Sequence, residues 1–165
     1  MKIIKTHTLD PGDKKIIFNL WNSEYPVNLS FHEIQDMDNY LNELPGLTYY
    51  LMKNDVREIE GWAMTFNAGE EKWFAITISP GVQGTGKGTL LLDHLKSDHE
   101  ILNGWVIDHQ NDYRQNGEPY RSPVLFYQKN GFHVFPETRL EIPTLSAVLI
   151  SWRKHTVDNS NENKK

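Results

Sequence analysis

Residues 81–89 read Gly-Val-Gln-Gly-Thr-Gly-Lys-Gly-Thr, directly after the apolar run Phe74-Ala75-Ile76-Thr77-Ile78 and directly before Leu90-Leu91-Leu92. A strand that breaks into a glycine-rich turn and then a helix is a device for holding a pyrophosphate. Glycines let the backbone approach closely, and the unpaired N–H groups of the first helical turn favour negative charge. Two phosphate-binding patterns overlay this segment, Gln83-x-x-Gly86-x-Gly88 and Gly81-x-x-x-x-Gly86-Lys87-Gly88-Thr89. The surrounding elements must decide between them.

At 165 residues the chain has the size of one domain, able to bury a core without metals or disulfides. It has no cysteine, which excludes a thiol nucleophile, a cysteine zinc site and a disulfide framework. A net charge of −5 argues against a nucleic-acid binder, which would present a basic face. No apolar run approaches the ~20 residues of a membrane span, and the N-terminus shows no signal-peptide pattern. The expectation is a cytoplasmic protein that engages neither nucleic acid nor membrane.

No internal repeat or linker divides the chain. Lys2 to Leu9 reads as a strand. Asp10-Pro11 then opens a helix with Ile16, Ile17, Leu20 and Trp21 along one side. Ser30 and Glu33 form a capping-box pattern for a second helix, with Ile34, Met37, Leu41 and Leu44 as its apolar face and Pro45-Gly46 as its stop. Strand-like segments follow at about 47–53, 60–66 and 72–79, the last two joined by the hairpin chemistry of Asn67-Ala68-Gly69. The glycine loop opens a third helix at about 87–98, and Trp105-Val106-Ile107 reads as a strand. His109 to Arg121 reads as a long polar loop. Ser122-Pro123 caps a short helix, Val124 to Lys129, that ends at Asn130-Gly131; Phe132 to Phe135 and Leu145 to Trp152 read as strands. Together these imply an α+β domain over 1–153 with a mixed, mostly antiparallel sheet, and a polar, disordered tail over 154–165.

The second pattern resembles the nucleotide loop of adenylate-kinase-like enzymes, with Lys87 reaching terminal phosphates. That loop normally follows the first strand of a parallel sheet. Here about half the chain precedes it, and about 76 residues follow, too few for the remaining strands, helices and lid. The first pattern resembles the acyl-CoA-binding motif of the GNAT superfamily of N-acetyltransferases. Pro80 stands three positions before Gln83, as in that family's strand-to-loop passage. Some forty residues on, Leu125-Phe126-Tyr127-Gln128-Lys129-Asn130-Gly131-Phe132 resembles the family's short helix and following strand. Tyr120 and Pro123 depart from the family, which often has Asn and a small residue at those places.

The resemblance implies a three-layer α/β/α domain whose sheet splays between its fourth and fifth strands. It implies direct transfer of acetyl from acetyl-CoA, without a metal, to a primary amine on a small molecule or peptide, and a homodimer. The residues it assigns to acetyl-CoA are Ile76 and Ile78, along the pantetheine arm, and Gln83, Gly84, Thr85, Gly86, Lys87 and Gly88, around the pyrophosphate. Tyr127 matches the family's tyrosine and would act as general acid to the leaving sulfur. The attacking amine must be neutral, so a base is expected; Glu70, Glu71, Asp108 and His109 lie near the ends of the splayed strands, with His109 and Glu71 the named candidates. A non-catalytic acyl-CoA-binding or regulatory module on the same fold is the alternative. His94 and His99 are too far round a helix from each other to share a metal. Trp62, Trp73, Trp105 and Trp152 read as packing rather than a substrate cage.

Overall fold

The computed structural model describes residues 1–155; the tail expected to be disordered therefore lies, from 156 onward, outside the described residues. Chain order is β1 (Lys2–Thr6), α1 (Pro11–Glu24), α2 (Ile34–Asn42), β2 (Thr48–Lys53), β3 (Ile59–Ala68), β4 (Glu71–Ile78), α3 (Lys87–Asp98), β5 (Ile101–Val106), α4 (Val124–Lys129), β6 (His133–Ile142) and β7 (Leu145–Arg153), with short 3-10 turns at Val27–Leu29 and Pro80–Val82. The seven strands form one sheet in the order β1-β2-β3-β4-β5-β7-β6. Every neighbouring pair is antiparallel except β4 and β5.

Strand alternation splits the core into two layers on opposite faces of the sheet. Tyr50, Met52, Ala63 and Phe74 pack with Leu91, Leu92 and Leu95 of α3 and Tyr127 of α4. Tyr49, Leu51, Trp62 and Met64 pack on the other face with Ile17, Leu20 and Trp21 of α1 and Met37 and Leu41 of α2. Because β2 is central, both of its faces are buried. The architecture is thus three layers, α1 and α2 on one face, α3 and α4 on the other.

Local chemistry sets the boundaries. The Asp10 side chain accepts from Asp13 N–H at 2.7 Å and starts α1 ahead of Pro11. Ile16 does not share the buried side of that helix and is 39% exposed. The second helix starts at Ile34 rather than Ser30. Asn22, buried in α1, donates to Phe31 C=O at 3.0 Å and accepts from Phe31 N–H at 2.9 Å, which pins that residue outside a helix. Glu33 and Asp36 then form the reciprocal capping box, and Ser30 instead closes the 3-10 turn. The first strand ends at Thr6, where its hydroxyl donates to Thr8 C=O at 2.9 Å. At the other end, β6 runs past Phe135 to Ile142. A bulge between Phe135 and Arg139 takes up Pro136, which an edge strand tolerates because the missing N–H needs no ladder partner.

Candidate active site

The parallel pair determines where a site can form. β4 and β5 meet in register only at Trp73 and Asn103, so the two strands diverge towards their C-terminal ends. β4 stays paired with β3 along its whole length, from Ala68–Glu71 to Gly61–Ile78. Its other edge, beyond Trp73, therefore has backbone N–H and C=O groups free to pair with an extended ligand. A cleft of about 1400 Å³ opens at this divergence, lined by Ile76 and Ile78 of β4 and by Gly104 and Val106 of β5.

The glycine loop closes one end of that cleft. Gly84 and Gly86 have φ of +76° and +86°, the left-handed region where a Cβ is costly. A Cβ at either position would meet nothing within 4 Å, so the backbone is open to approach. Gly86 is the N-cap of α3 and no side chain caps the helix. The first N–H groups of a twelve-residue helix are left to a ligand, with the helix dipole behind them. Gly88 has a different task. A Cβ there would stand 3.3 Å from the Phe126 ring, so the missing side chain lets α3 pack against α4. Gln83, Gly84, Gly86 and Gly88 line the cleft, whereas Thr85 and Lys87 do not. The Thr85 hydroxyl donates to Val82 C=O at 2.5 Å, and the Lys87 ammonium is paired with Glu60 at the bulge of β3. Lys87 therefore points away from the loop's mouth. Any contact of Thr85 or Lys87 with phosphate would come from the backbone.

Tyr127 enters from α4. It is 6% exposed, ringed by Phe74 at 5.8 Å, Phe126 at 5.2 Å and Phe132 at 5.4 Å, and still lines the cleft. Burial, with the Tyr25 and Tyr120 phenols nearby, raises its pKa well above the usual phenol value, so it holds its proton. Tyr25 caps the end of α1 and Tyr120 belongs to the 109–121 loop; burial raises both of their pKa values as well.

The expected bases are not gathered here. Glu71 sits at the closed end of the splay, where it accepts from Asn103 Nδ2 and from Arg153 at 3.4 Å. Glu70 is exposed in the hairpin turn. Asp108 is held by both terminal nitrogens of Arg139, at 2.9 and 3.1 Å; those hydrogen bonds keep its carboxyl below the ordinary range. His109 Nδ1 accepts from Asn111 N–H at 3.1 Å and its Nε2 lies 3.8 Å from Asp112, so the ring serves its own loop. None of these four lines the cleft. Glu24, at the end of α1, does. It accepts from Gln83 Nε2 at 2.7 Å and lies 3.9 Å from Arg114. The same Gln83 nitrogen donates to Ile78 C=O at 2.9 Å, so one side chain ties α1 to the end of β4.

The 109–121 loop is ordered into a small turn. Tyr113 and Pro119 form a bridge, Arg114 pairs with Glu118 at 2.5 Å, and Tyr113 C=O accepts from Val27 N–H at 2.8 Å. Arg114, Glu118 and Tyr120 thereby form a side of the cleft. Of the four strand tryptophans, Trp62 is core at 1% exposure and Trp152 packs against the α3/α4 layer. Trp73 and Trp105, 5.3 Å apart, line the cleft instead. Strand parity contained that signal: Phe74, Ile76 and Ile78 serve the α3 layer, which sends Trp73, Ala75 and Thr77 to the opposite face.

Among solved structures, an aminoglycoside 6'-N-acetyltransferase complexed with coenzyme A superposes with a TM-score of 0.71 at 12% identity, over 93% of this chain and 97% of that one. The chain has the GNAT fold. Spermidine N-acetyltransferase from Vibrio cholerae matches with a TM-score of 0.65 at 14% identity, over 93% and 95% of the two chains. A GNAT superfamily phosphinothricin acetyltransferase from Sinorhizobium meliloti in complex with AcCoA matches at 0.63 and 14%, over 93% and 89%. No protein-family model matches the chain, and no curated protein matches it in sequence. In this mixed sheet the glycine loop follows the fourth strand rather than the first strand of a parallel sheet, which removes the adenylate-kinase-like reading. Among the described residues no helix is long and apolar enough to cross a membrane, and no three His, Asp or Glu side chains are grouped to hold a metal ion.

Proposed function

We propose that this protein is an N-acetyltransferase that moves an acetyl group from acetyl-CoA directly to a primary amine. The observation that carries the reading is the single register pair between β4 and β5, opening towards an uncapped helix N-terminus behind glycines with free space above them. The free edge of β4 at Ile76 and Ile78 suits the amide-bearing pantetheine arm. The N–H groups from Gln83 to Gly88 suit the pyrophosphate. Bound there, acetyl-CoA supplies an activated acetyl group as a thioester.

Tyr127 holds a proton at its phenolic oxygen for the departing sulfur. Its raised pKa keeps that proton in place at neutral pH, which is what a donor requires. Backbone N–H groups of the diverging β4 edge are the candidates for stabilising negative charge on the acetyl oxygen. Among the described residues two carboxylates line the cleft, Glu24 and Glu118, and both are engaged by Arg114. The amine therefore sheds its proton to solvent before attack rather than to a dedicated side chain.

CoA or acetyl-CoA is expected to raise the thermal midpoint without added metal, since a ligand present at 100 times its Kd stabilises by about 2.7 kcal/mol. ATP with magnesium is expected to give no comparable shift. Release of CoA thiol in the presence of an amine panel separates an enzyme from a module that only binds. A protein that binds neither CoA nor acetyl-CoA overturns the reading.

A further inference from the structure

The other half of the cleft, on the α1/α2 side of the sheet, is walled by rings. Trp21 stands 4.7 Å from Tyr25 and 5.9 Å from Tyr40, forming one wall with Phe66 of β3. Trp73 and Trp105, 5.3 Å apart on the two diverging strands, line the same cleft. A Cβ at Gly104 would stand 3.1 Å from Phe74 and 3.6 Å from Ile150, both of the α3/α4 layer, so Trp105 next to it projects to the α1/α2 side. Trp105 is 38% exposed and Ile142, further along the same cleft, is 47% exposed. These are large apolar groups left uncovered at the place where an acceptor must enter.

Charge is arranged differently. The carboxylates lining the cleft are Glu24 and Glu118, and Arg114 lies 3.9 Å from the first and 2.5 Å from the second. Glu24 also accepts the Gln83 amide. Among the described residues no carboxylate of the cleft is left to receive a second or third ammonium, as a polyamine would need. Among the described residues, two buried side-chain atoms on residues that line the cleft have no hydrogen-bond partner, Arg114 Nε and Thr77 Oγ1. The first belongs to a cation and cannot accept from an ammonium. Thr77 Oγ1, on a residue 6% exposed, lines the α1/α2 side and lies towards the Tyr25 hydroxyl without closing a hydrogen bond of standard geometry.

On the basis of the acetyltransferase reading, we propose that the acceptor is a primary monoamine carried on a flat aromatic body. Its ring lies between Trp105 and the Trp21–Tyr25–Tyr40 wall, and its amine points to Thr77 and the splay. Ring stacking and burial supply affinity, and Thr77 Oγ1, an acceptor, orients the nitrogen.

Calorimetric titration of the full chain, with and without CoA, against phenethylamine, tryptamine, spermidine and kanamycin tests this without requiring turnover. The aromatic amines are expected to bind at least about tenfold more tightly than spermidine or kanamycin. Trp105→Ala is expected to weaken aromatic amines by about tenfold while CoA binds as before, and Trp105→Phe to restore most of the loss. Tighter binding of spermidine or kanamycin, no binding of the aromatic amines in either state, or indifference to Trp105→Ala overturns the proposal. Loss of CoA binding in the unaltered protein would instead overturn the acetyltransferase reading on which it rests.

Discussion

The two ends of the cleft are made in different ways. At the end proposed for phosphate the available groups are backbone: residues 78–89, contiguous in sequence, present open glycines and an uncapped helix. At the end proposed for the acceptor they are side chains brought from α1, α2, β3, β4, β5 and the 109–121 loop. A site built from backbone is sensitive to one extra Cβ and indifferent to most side-chain chemistry. A site built from side chains tolerates single changes but can alter its preference with each. Gln83 and Glu24 join the two, since a residue of the glycine loop is hydrogen-bonded to the end of α1.

The sharpest break in that comparison is Gly86→Glu. At φ +86° a side chain is strained, and the new carboxylate would occupy the proposed anion nest. CoA affinity is expected to fall by at least about a hundredfold in a protein whose circular dichroism is unchanged. Unaltered affinity in a folded variant would remove the phosphate end from the loop. Next is Tyr127→Phe, which keeps the ring and its contacts with Phe74 and Phe132 but loses the proton. Turnover is expected to drop by about 10²–10⁴-fold with CoA affinity intact. Turnover near the original value would make Tyr127 a packing residue alone.

A pH profile comes third in size. If no side chain takes the amine's proton, kcat/KM for an alkylamine of pKa about 10.4 should rise about tenfold per pH unit between about 6 and 8. The Tyr127 pKa is raised by burial, so its protonated form, the one proposed to serve as donor, persists through neutral pH and is lost only above the ordinary phenol value; no falling limb is expected below about pH 10. A plateau setting in near pH 7 would reveal a base. Glu24→Gln, which weakens a charged hydrogen bond to Gln83, is expected to raise the KM for acetyl-CoA by about fivefold with kcat little changed. Smallest is Glu71→Gln at the closed end of the splay. It retains an acceptor for Asn103, and turnover should stay within a factor of about two.

Reading the fold from sequence worked where the controlling forces are local. The Asp10 cap, the Gly86 turn into α3, the Gly69 hairpin with φ +64° and the Gly131 stop with φ +84° are each decided within a few residues. It failed at Ser30, because the group that keeps Phe31 out of the helix is Asn22, nine residues back and reached only through folding. It failed again at β6, where pairing with β7 carries a strand past a proline that would end one by local rules.

The candidate site divides along the same line. The strand, the glycine loop and the helix behind it were determined by the sequence alone, because φ preferences, helix termini and alternation are properties of neighbouring residues. Tyr127 was picked out only by the resemblance of its segment to the GNAT motif. Only the tertiary structure decided that Lys87 pairs with Glu60, that Glu71 and His109 are spent elsewhere, and that Glu24 reaches Gln83. It also turned Trp73 and Trp105 into a wall while leaving Trp62 in the core. Those outcomes depend on which side chains the sheet order brings within hydrogen-bond or contact distance, and that order is set by the packing of the whole domain.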